Sequence, residues 1–364
     1  MVEIDVLLKL MLDKEASDLH LKVPSPPTLR INGTIVPQDD LPRLSPQDME
    51  AVFMQITDEE KRNTFYQEKE LDCAYSVPRL ARFRANVMRQ RGTVSINFRL
   101  VPFKIPTPEE LGLPQICKEL VVKPRGLILV TGPTGSGKST TLASMVNYLN
   151  ENQQKNIITI EDPIEFLYSD KKCLINQRDL GDDTRSFSIA LIHALRHDPD
   201  VIVVGELRDL DTISAAIRAA ETGHLVMGTL HSTDAPQTID RLIDVFPEAQ
   251  QGQIRLQLSQ ALEGILTQAL LPRANGKGRV AAFEIMIASS AVRNIIREKK
   301  TFELHGVMQL SSKDGMQTLD QSLADLVKRQ LVTIDEALRV SSNPQQLKKL
   351  IQYSAGVQAV RSFR

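Results

Sequence analysis

One segment limits the fold of this chain more than any other. Gly132-Pro133-Thr134-Gly135-Ser136-Gly137-Lys138-Ser139, followed by Thr140, fits GxxxxGK[ST] at every fixed position. The apolar run Leu127 to Val130 leads into it, and Leu142, Met145, Val146 and Leu149 recur behind it at helical spacing, so the motif joins a strand to a helix. In that context the glycines let the backbone wrap phosphate groups with its N–H donors, and the helix N-terminus adds a favourable dipole. Lys138 neutralises the β- and γ-phosphates, and Ser139 offers a hydroxyl to Mg²⁺. Average residue usage makes a chance match in a chain of this length rare, on the order of 1%.

The surrounding pattern predicts an α/β fold. Ile157 to Ile160, Val201 to Val204 and Leu225 to Thr229 are short β-branched-rich runs, and Phe187, Ala190, Leu191, Ala194 and Leu195 recur between them at helical spacing, as in a parallel sheet with helices on its faces. From about Pro236 the strand signals fade and helices dominate. Two proline-bearing stretches, Val101 to Pro108 and Lys123 to Gly126, suggest the divisions: an N-terminal α/β domain at 1–105, a linker at 106–122, the nucleotide-binding core at 123–271 and a mostly helical C-terminal subdomain at 272–364. Within the first, Val2 to Leu12 reads as an amphipathic helix. Residues 28–31 and 34–36 read as a hairpin turning at Asn32-Gly33.

Charge is informative only locally. With 44 Lys and Arg against 45 Asp and Glu, the formal charge of −1 gives no whole-molecule attraction to nucleic acid or anionic lipid. Residues 73–108, however, hold six Arg and one Lys with no acid. Strand-period alternation in 81–87 and 94–100 sends Arg82, Arg84 and Arg99 away from the core, either as a solvated face or as a surface that meets an anion. The three cysteines, Cys73, Cys117 and Cys173, form no CxxC pair, which argues against a disulfide framework or a structural zinc site and fits a reducing compartment. An acidic start, Met1-Val2-Glu3-Ile4-Asp5, and the lack of a membrane-length apolar run give a cytoplasmic expectation.

Hydrolysis at a phosphate loop also needs acids at neighbouring strand ends. Val201-Ile202-Val203-Val204-Gly205-Glu206 resembles a Walker B strand with Gly205 where many P-loop ATPases have Asp, so Glu206 is expected to act on the metal through water. Ile160-Glu161-Asp162-Pro163-Ile164-Glu165 offers further carboxylates where Pro163 stops a strand. His231, just after Leu225 to Leu230, is placed to sense a γ-phosphate by hydrogen bonding. His193 and His197 have a structural reading.

Taken together, GPTGSGKST (132–140), IEDPIEF (160–166), LRHDPDVIVVGELRD (195–209) and GTLHST (228–233) resemble, in order and spacing, the Walker A, Asp box, Walker B and His box of the type II secretion and type IV pilus ATPase superfamily. ASDLHL (16–21) and AVRNIIRE (291–298) extend the likeness over essentially the whole chain, and the latter is similar to an element of the retraction motors in that family. The resemblance implies a RecA-like P-loop ATPase core with an N-terminal PAS-like α/β domain and a helical C-terminal subdomain. It implies ATP and Mg²⁺, a homohexamer, and work at the cytoplasmic, inner-membrane base of a pilus with a platform protein, other pilus machinery and a PilU-type paralogue, and no direct nucleic acid. It further implies Glu165 as general base, Glu206 as support for Mg²⁺, His231 as a nucleotide sensor, and Arg84 and Arg99 as arginines that reach the γ-phosphate. No four-cysteine insert or additional N-terminal domain is expected, which favours retraction over assembly or secretion ATPases.

AVRNIIRE is expected to bury Val292, Ile295 and Ile296 and to leave Arg293, Asn294, Arg297 and Glu298 available on its other face. Three other readings stand beside the retraction motor: an assembly or secretion ATPase or a PilU-type accessory, a nucleic-acid translocase, and a non-hydrolysing scaffold. The translocase would use the basic segment and its aromatics Tyr75, Phe83, Phe98 and Phe103. Phe83 and Phe98 fall on the inferred core face, which speaks against a stacking platform.

Overall fold

The computed structural model describes residues 2–361 other than Arg79 and Phe103, with side chains as far as residue 352. Arg79 of the basic segment and Phe103 of its aromatics therefore lie outside the described residues. Two compact units divide the chain: Met1–Lys104 with Pro163–Leu167, and Ile105–Asp162 with Tyr168–Arg364.

The first unit is built from α1 (Ile4–Asp13), β1 (Asp18–Leu21), β2 (Thr28–Ile31), β3 (Thr34–Pro37), α2 (Pro46–Ile56), α3 (Glu59–Glu68), β4 (Glu70–Val77), β5 (Ala81–Gln90) and β6 (Thr93–Val101). Its antiparallel sheet runs β3-β2-β1-β6-β5-β4. The hairpin between β2 and β3 turns as expected at Asn32 and Gly33, both with positive φ. Helix α2 opens on a capping box between Ser45 and Asp48 with Pro46 in its first turn. Phe83, Phe98, Leu19 and Ile96 point into one core with Phe53 and Phe65 from the helices. Alternation sends their strand neighbours, Arg84 and Arg99 included, to the opposite face.

The second unit begins with α4 (Pro108–Leu111) and α5 (Gln115–Val121), so 106–122, expected as a linker, holds two helices. Thr107 and Glu110 form a capping box, Gly112 ends α4 in the left-handed region, and Cys117, Leu120 and Val121 are buried. There follow β7 (Gly126–Thr131), α6 (Lys138–Asn152), β8 (Asn156–Glu161), β9 (Leu174–Asp179), α7 (Phe187–Ala194), β10 (Val201–Val204), α8 (Leu210–Glu221), β11 (Leu225–Leu230), α9 (Ala235–Asp244), α10 (Glu248–Ala261), β12 (Leu262–Pro272), β13 (Arg279–Ile287), α11 (Ser290–Arg297), α12 (Leu304–Leu310), α13 (Leu319–Lys328), α14 (Ile334–Val340) and α15 (Pro344–Arg361). The sheet order is β13-β12-β7-β11-β10-β8-β9, parallel except for β12 with β13. Leu127 and Leu129 of β7 enter the core on one face, Ile128 and Val130 the core on the other. Burial on both sides explains the unbroken apolar runs.

Two expectations are corrected here. Strands do not end near residue 236, because β12 and β13 both follow it. Helix α10 passes directly into β12 at Ala261-Leu262 without a breaker residue, which hides the boundary in the sequence. In α11, Val292, Ile295 and Ile296 are buried as expected, but Arg293 is not on an available face. Its guanidinium donates to the Ser259 and Gln260 carbonyls at 2.8 and 2.7 Å and to Glu263 at 2.9 Å, so it caps α10 and ties α11 to β12. Asn294, Arg297 and Glu298 remain exposed.

Candidate functional site

Strand register brings the second unit's motifs to one sheet edge. Thr131, the last residue of β7, pairs with Leu230 of β11 and Thr267 of β12, while Val204 of β10 pairs with Ile160 of β8. The phosphate loop, His231, Glu206 and Glu161 therefore all leave the sheet at the C-terminal ends of parallel strands, where α/β folds bind ligands.

The loop depends on its glycines. Gly132 has φ +141, and a Cβ there would stand 2.4 Å from the Gln268 carbonyl oxygen; at Gly137, φ +91, it would stand 2.8 Å from the Gln268 side-chain nitrogen. Gln268 braces the loop further by accepting from the Thr141 hydroxyl at 2.6 Å, beside a 2.8 Å contact between the Thr131 and Thr267 hydroxyls. Sequence reading missed Thr267 and Gln268 because it missed β12; an apolar run with two polar residues at its centre was the available signal.

Lys138 crosses the loop and donates to the carbonyls of Gly132 at 2.9 Å and Pro133 at 3.1 Å. Its ammonium is 3.4 Å from His231 Nδ1, and His231 Nε2 is 3.4 Å from Glu206 Oε1. An ammonium only donates and a carboxylate only accepts, so this chain fits the imidazole tautomer with its proton on Nε2. Arg208 closes the line on Glu206 at 2.6 Å. Burial works to raise the Glu206 carboxyl, but the hydrogen bond and charge of Arg208 and the neighbouring His231 outweigh it and hold the group below its ordinary value.

At Gly205 a Cβ would stand 3.2 Å from the Ile160 carbonyl and 3.3 Å from the Glu161 Cα, so a larger residue there would need β8 to give by a few tenths of an ångström. Glu161 is held by the Thr159 hydroxyl at 2.6 Å and the Gln177 amide at 3.0 Å. Glu165 is exposed in Pro163–Leu167, the short segment grouped with the first unit. Arg84 and Arg99 lie in that unit too, directly opposite each other on β5 and β6. The sheet edge thus gathers the loop, His231 and Glu206, while Glu165, Arg84 and Arg99 belong to the other unit.

A nucleotide polyphosphate fits this loop. Among the described residues Ser136 Oγ is buried without a hydrogen-bond partner, Pro133, Thr134 and Gly135 are exposed, and Ser139 and Thr140 open α6 half-buried, so an exposed loop meets a helix N-terminus, the setting in which backbone N–H groups receive phosphate oxygens. Ser139 and Glu206 carry hard oxygen atoms of the kind that could hold Mg²⁺. Among the described residues no cluster of three or more His, Cys, Asp or Glu is placed to hold a metal ion.

Strand-end phosphate loop, Walker B acid and parallel sheet define a P-loop ATPase with a RecA-like core. The chain belongs to the family described as type II/IV secretion system protein, whose model matches residues 106–339. It is 46% identical over 344 residues to the type IV pilus retraction ATPase PilT of Pseudomonas aeruginosa, covering 94% of this chain and 99% of that protein. The type IV pilus ATPase PilU of the same organism is 39% identical, covering 96% and 92%. The crystal structure of the pilus retraction motor PilT with bound ADP superposes with a TM-score of 0.89 at 46% identity, covering 96% of this chain and 100% of that one. Among the described residues no helix is long and apolar enough to cross a membrane.

Proposed function

We propose that this chain is the ATP-hydrolysing, homohexameric motor that drives type IV pilus retraction and twitching motility. Its expected seat is the cytoplasmic face of the inner membrane, on the pilus platform protein and the surrounding pilus machinery. The observation that carries the reading is the end-to-end similarity to a retraction ATPase, together with the Lys138–His231–Glu206 line at the strand ends.

In this reading Lys138 exchanges its loop carbonyls for the β- and γ-phosphates. Glu165 orients water and accepts its proton as the oxygen attacks the γ-phosphorus and the bond to the β–γ bridging oxygen breaks, leaving ADP and phosphate. The Ser139 hydroxyl, and Glu206 through water, would hold Mg²⁺, which when bound would neutralise charge on the phosphate oxygens. His231, hydrogen-bonded on both sides, reports the nucleotide state to the loop that follows it. Arg84 and Arg99 are presented from one subunit to the γ-phosphate of its neighbour.

Removing this gene product alone, with rescue by the wild type and by Lys138→Ala, tests the function. Retraction lost and restored only by the wild type supports the motor. Retraction that persists favours the accessory role suggested by the similarity to PilU. Phosphate release from the purified protein separates both from a non-hydrolysing scaffold.

A further inference from the structure

One row of side chains crosses the first unit's sheet in register: Arg30 on β2, Asp18 on β1, Arg99 on β6 and Arg84 on β5. The Asp18 side chain is 4% exposed and its two oxygens are fully engaged. Ser17 Oγ donates to Oδ2 at 2.7 Å, Arg99 Nε donates to Oδ1 at 2.8 Å, and Arg30 Nε lies 3.8 Å from Oδ2.

Arg99 behaves differently from its partner. Its side chain is 64% exposed, and only Nε is hydrogen-bonded; the two terminal nitrogens have no hydrogen-bond partner among the described residues. Arg84, directly across the ladder, makes neither a hydrogen bond nor an ion pair among the described residues. Like charges opposed across a strand pair destabilise it, so this pair is suited to an anion held between the two guanidinium groups.

We propose that Asp18 is a positioning residue for ATP hydrolysis: by fixing Arg99 through Nε, it leaves the planar fork of terminal nitrogens facing outward beside Arg84, set for a terminal phosphate. This rests on the reading that Arg99 serves a neighbouring subunit's nucleotide. A guanidinium can be tethered by one edge and bind with the other, which an ammonium cannot do. Because the side chain is ordered before the phosphate arrives, the gain falls on kcat rather than on KM.

The test is steady-state phosphate release by the full chain for D18N, R99A, R99K and the double variant D18N/R99A. D18N is expected to lower kcat about tenfold with KM for ATP within about twofold, and R99K to lose nearly as much turnover as R99A. The double variant is expected to be no slower than R99A alone, since Asp18 acts through Arg99. D18N at wild-type kcat beside an impaired R99A overturns the positioning role and leaves the arginine reading intact. Losses that add in the double variant, or an R99K that keeps wild-type turnover, also overturn it. R99A at wild-type rate overturns the arginine reading itself. If D18N does not fold, the comparison of R99K with R99A decides the matter alone.

Discussion

Strands β7, β10 and β11 are buried along their whole length, whereas β5 and β6 alternate buried with half-exposed residues, and the difference decides where each unit keeps its reactive groups. A parallel sheet covered on both faces leaves only its strand ends for chemistry, so Lys138, Glu206 and His231 all stand on the residues that follow β7, β10 and β11. An antiparallel sheet with one polar face can use the middle of its strands, where Arg84 and Arg99, the arginines proposed to meet a γ-phosphate, sit. Chemistry at the strand ends depends on the backbone. On the sheet face the proposed chemistry would depend on side chains held by cross-strand partners, as Asp18 holds Arg99.

The largest effects are expected at the strand ends. Lys138→Ala should abolish ATP turnover, while Glu165→Gln should keep nucleotide binding and suppress hydrolysis, measured by phosphate release and by equilibrium nucleotide binding on the same preparations. A Glu165→Gln variant that hydrolyses at near wild-type rate would move the base to Glu161 or Glu206.

Glycine substitutions sharpen the contrast between backbone and side chain. Gly132→Ala forces a Cβ against the Gln268 carbonyl at φ +141 and should cost about 2–3 kcal/mol with loss of nucleotide binding. Gly92→Ala in the β5–β6 hairpin, φ +80 with nothing within 4 Å, should cost only about 1 kcal/mol and leave binding unchanged. Thermal unfolding with and without nucleotide checks both; equal losses would erase the distinction.

Helix α11 separates stability from output. Arg293→Ala removes the α10 cap and the pair with Glu263 and should cost roughly 1.5–3 kcal/mol. Arg297→Ala, exposed and hydrogen-bonded among the described residues to Asn294 alone, should stay within about 0.5 kcal/mol yet impair retraction in cells more than ATPase activity in vitro. Parallel loss of retraction and ATPase activity in Arg297→Ala would make α11 a purely structural helix.

The smallest effect concerns acid. Burial lowers the His20 pKa against the pull of Asp18, with the charges of Arg30 and Arg99 adding to the lowering. The unfolded chain therefore takes up this proton first, so stability is expected to fall as pH drops below about 6.5. His20→Gln should flatten that decline in pH-dependent unfolding curves; an unchanged slope would contradict it.

Much of this was legible because it is local. The phosphate loop, the apolar runs of the parallel sheet, the Asn32-Gly33 hairpin and the outward arginines all follow from spacing within a few residues. What escaped depends on pairing across long distances in the chain. Asp18 meets Arg99 only because β1 lies beside β6, and Gln268 meets Gly132 only because β12 lies beside β7. Strand β13 also carries a weakened β signal in its first half, where Ala281 and Ala282 stand.

The central claim is that side chains on the sheet face of one copy complete the strand-end site of another. It is tested most directly by mixing Lys138→Ala protein with Arg99→Ala protein over a range of ratios and measuring ATP turnover. Each variant alone should be nearly inactive, since a trans arginine is worth roughly 10³-fold or more. The account predicts recovered activity that peaks at intermediate ratios, where intact loops from one variant meet intact arginines from the other. Mixed rings that form but show no recovery at any ratio would contradict it.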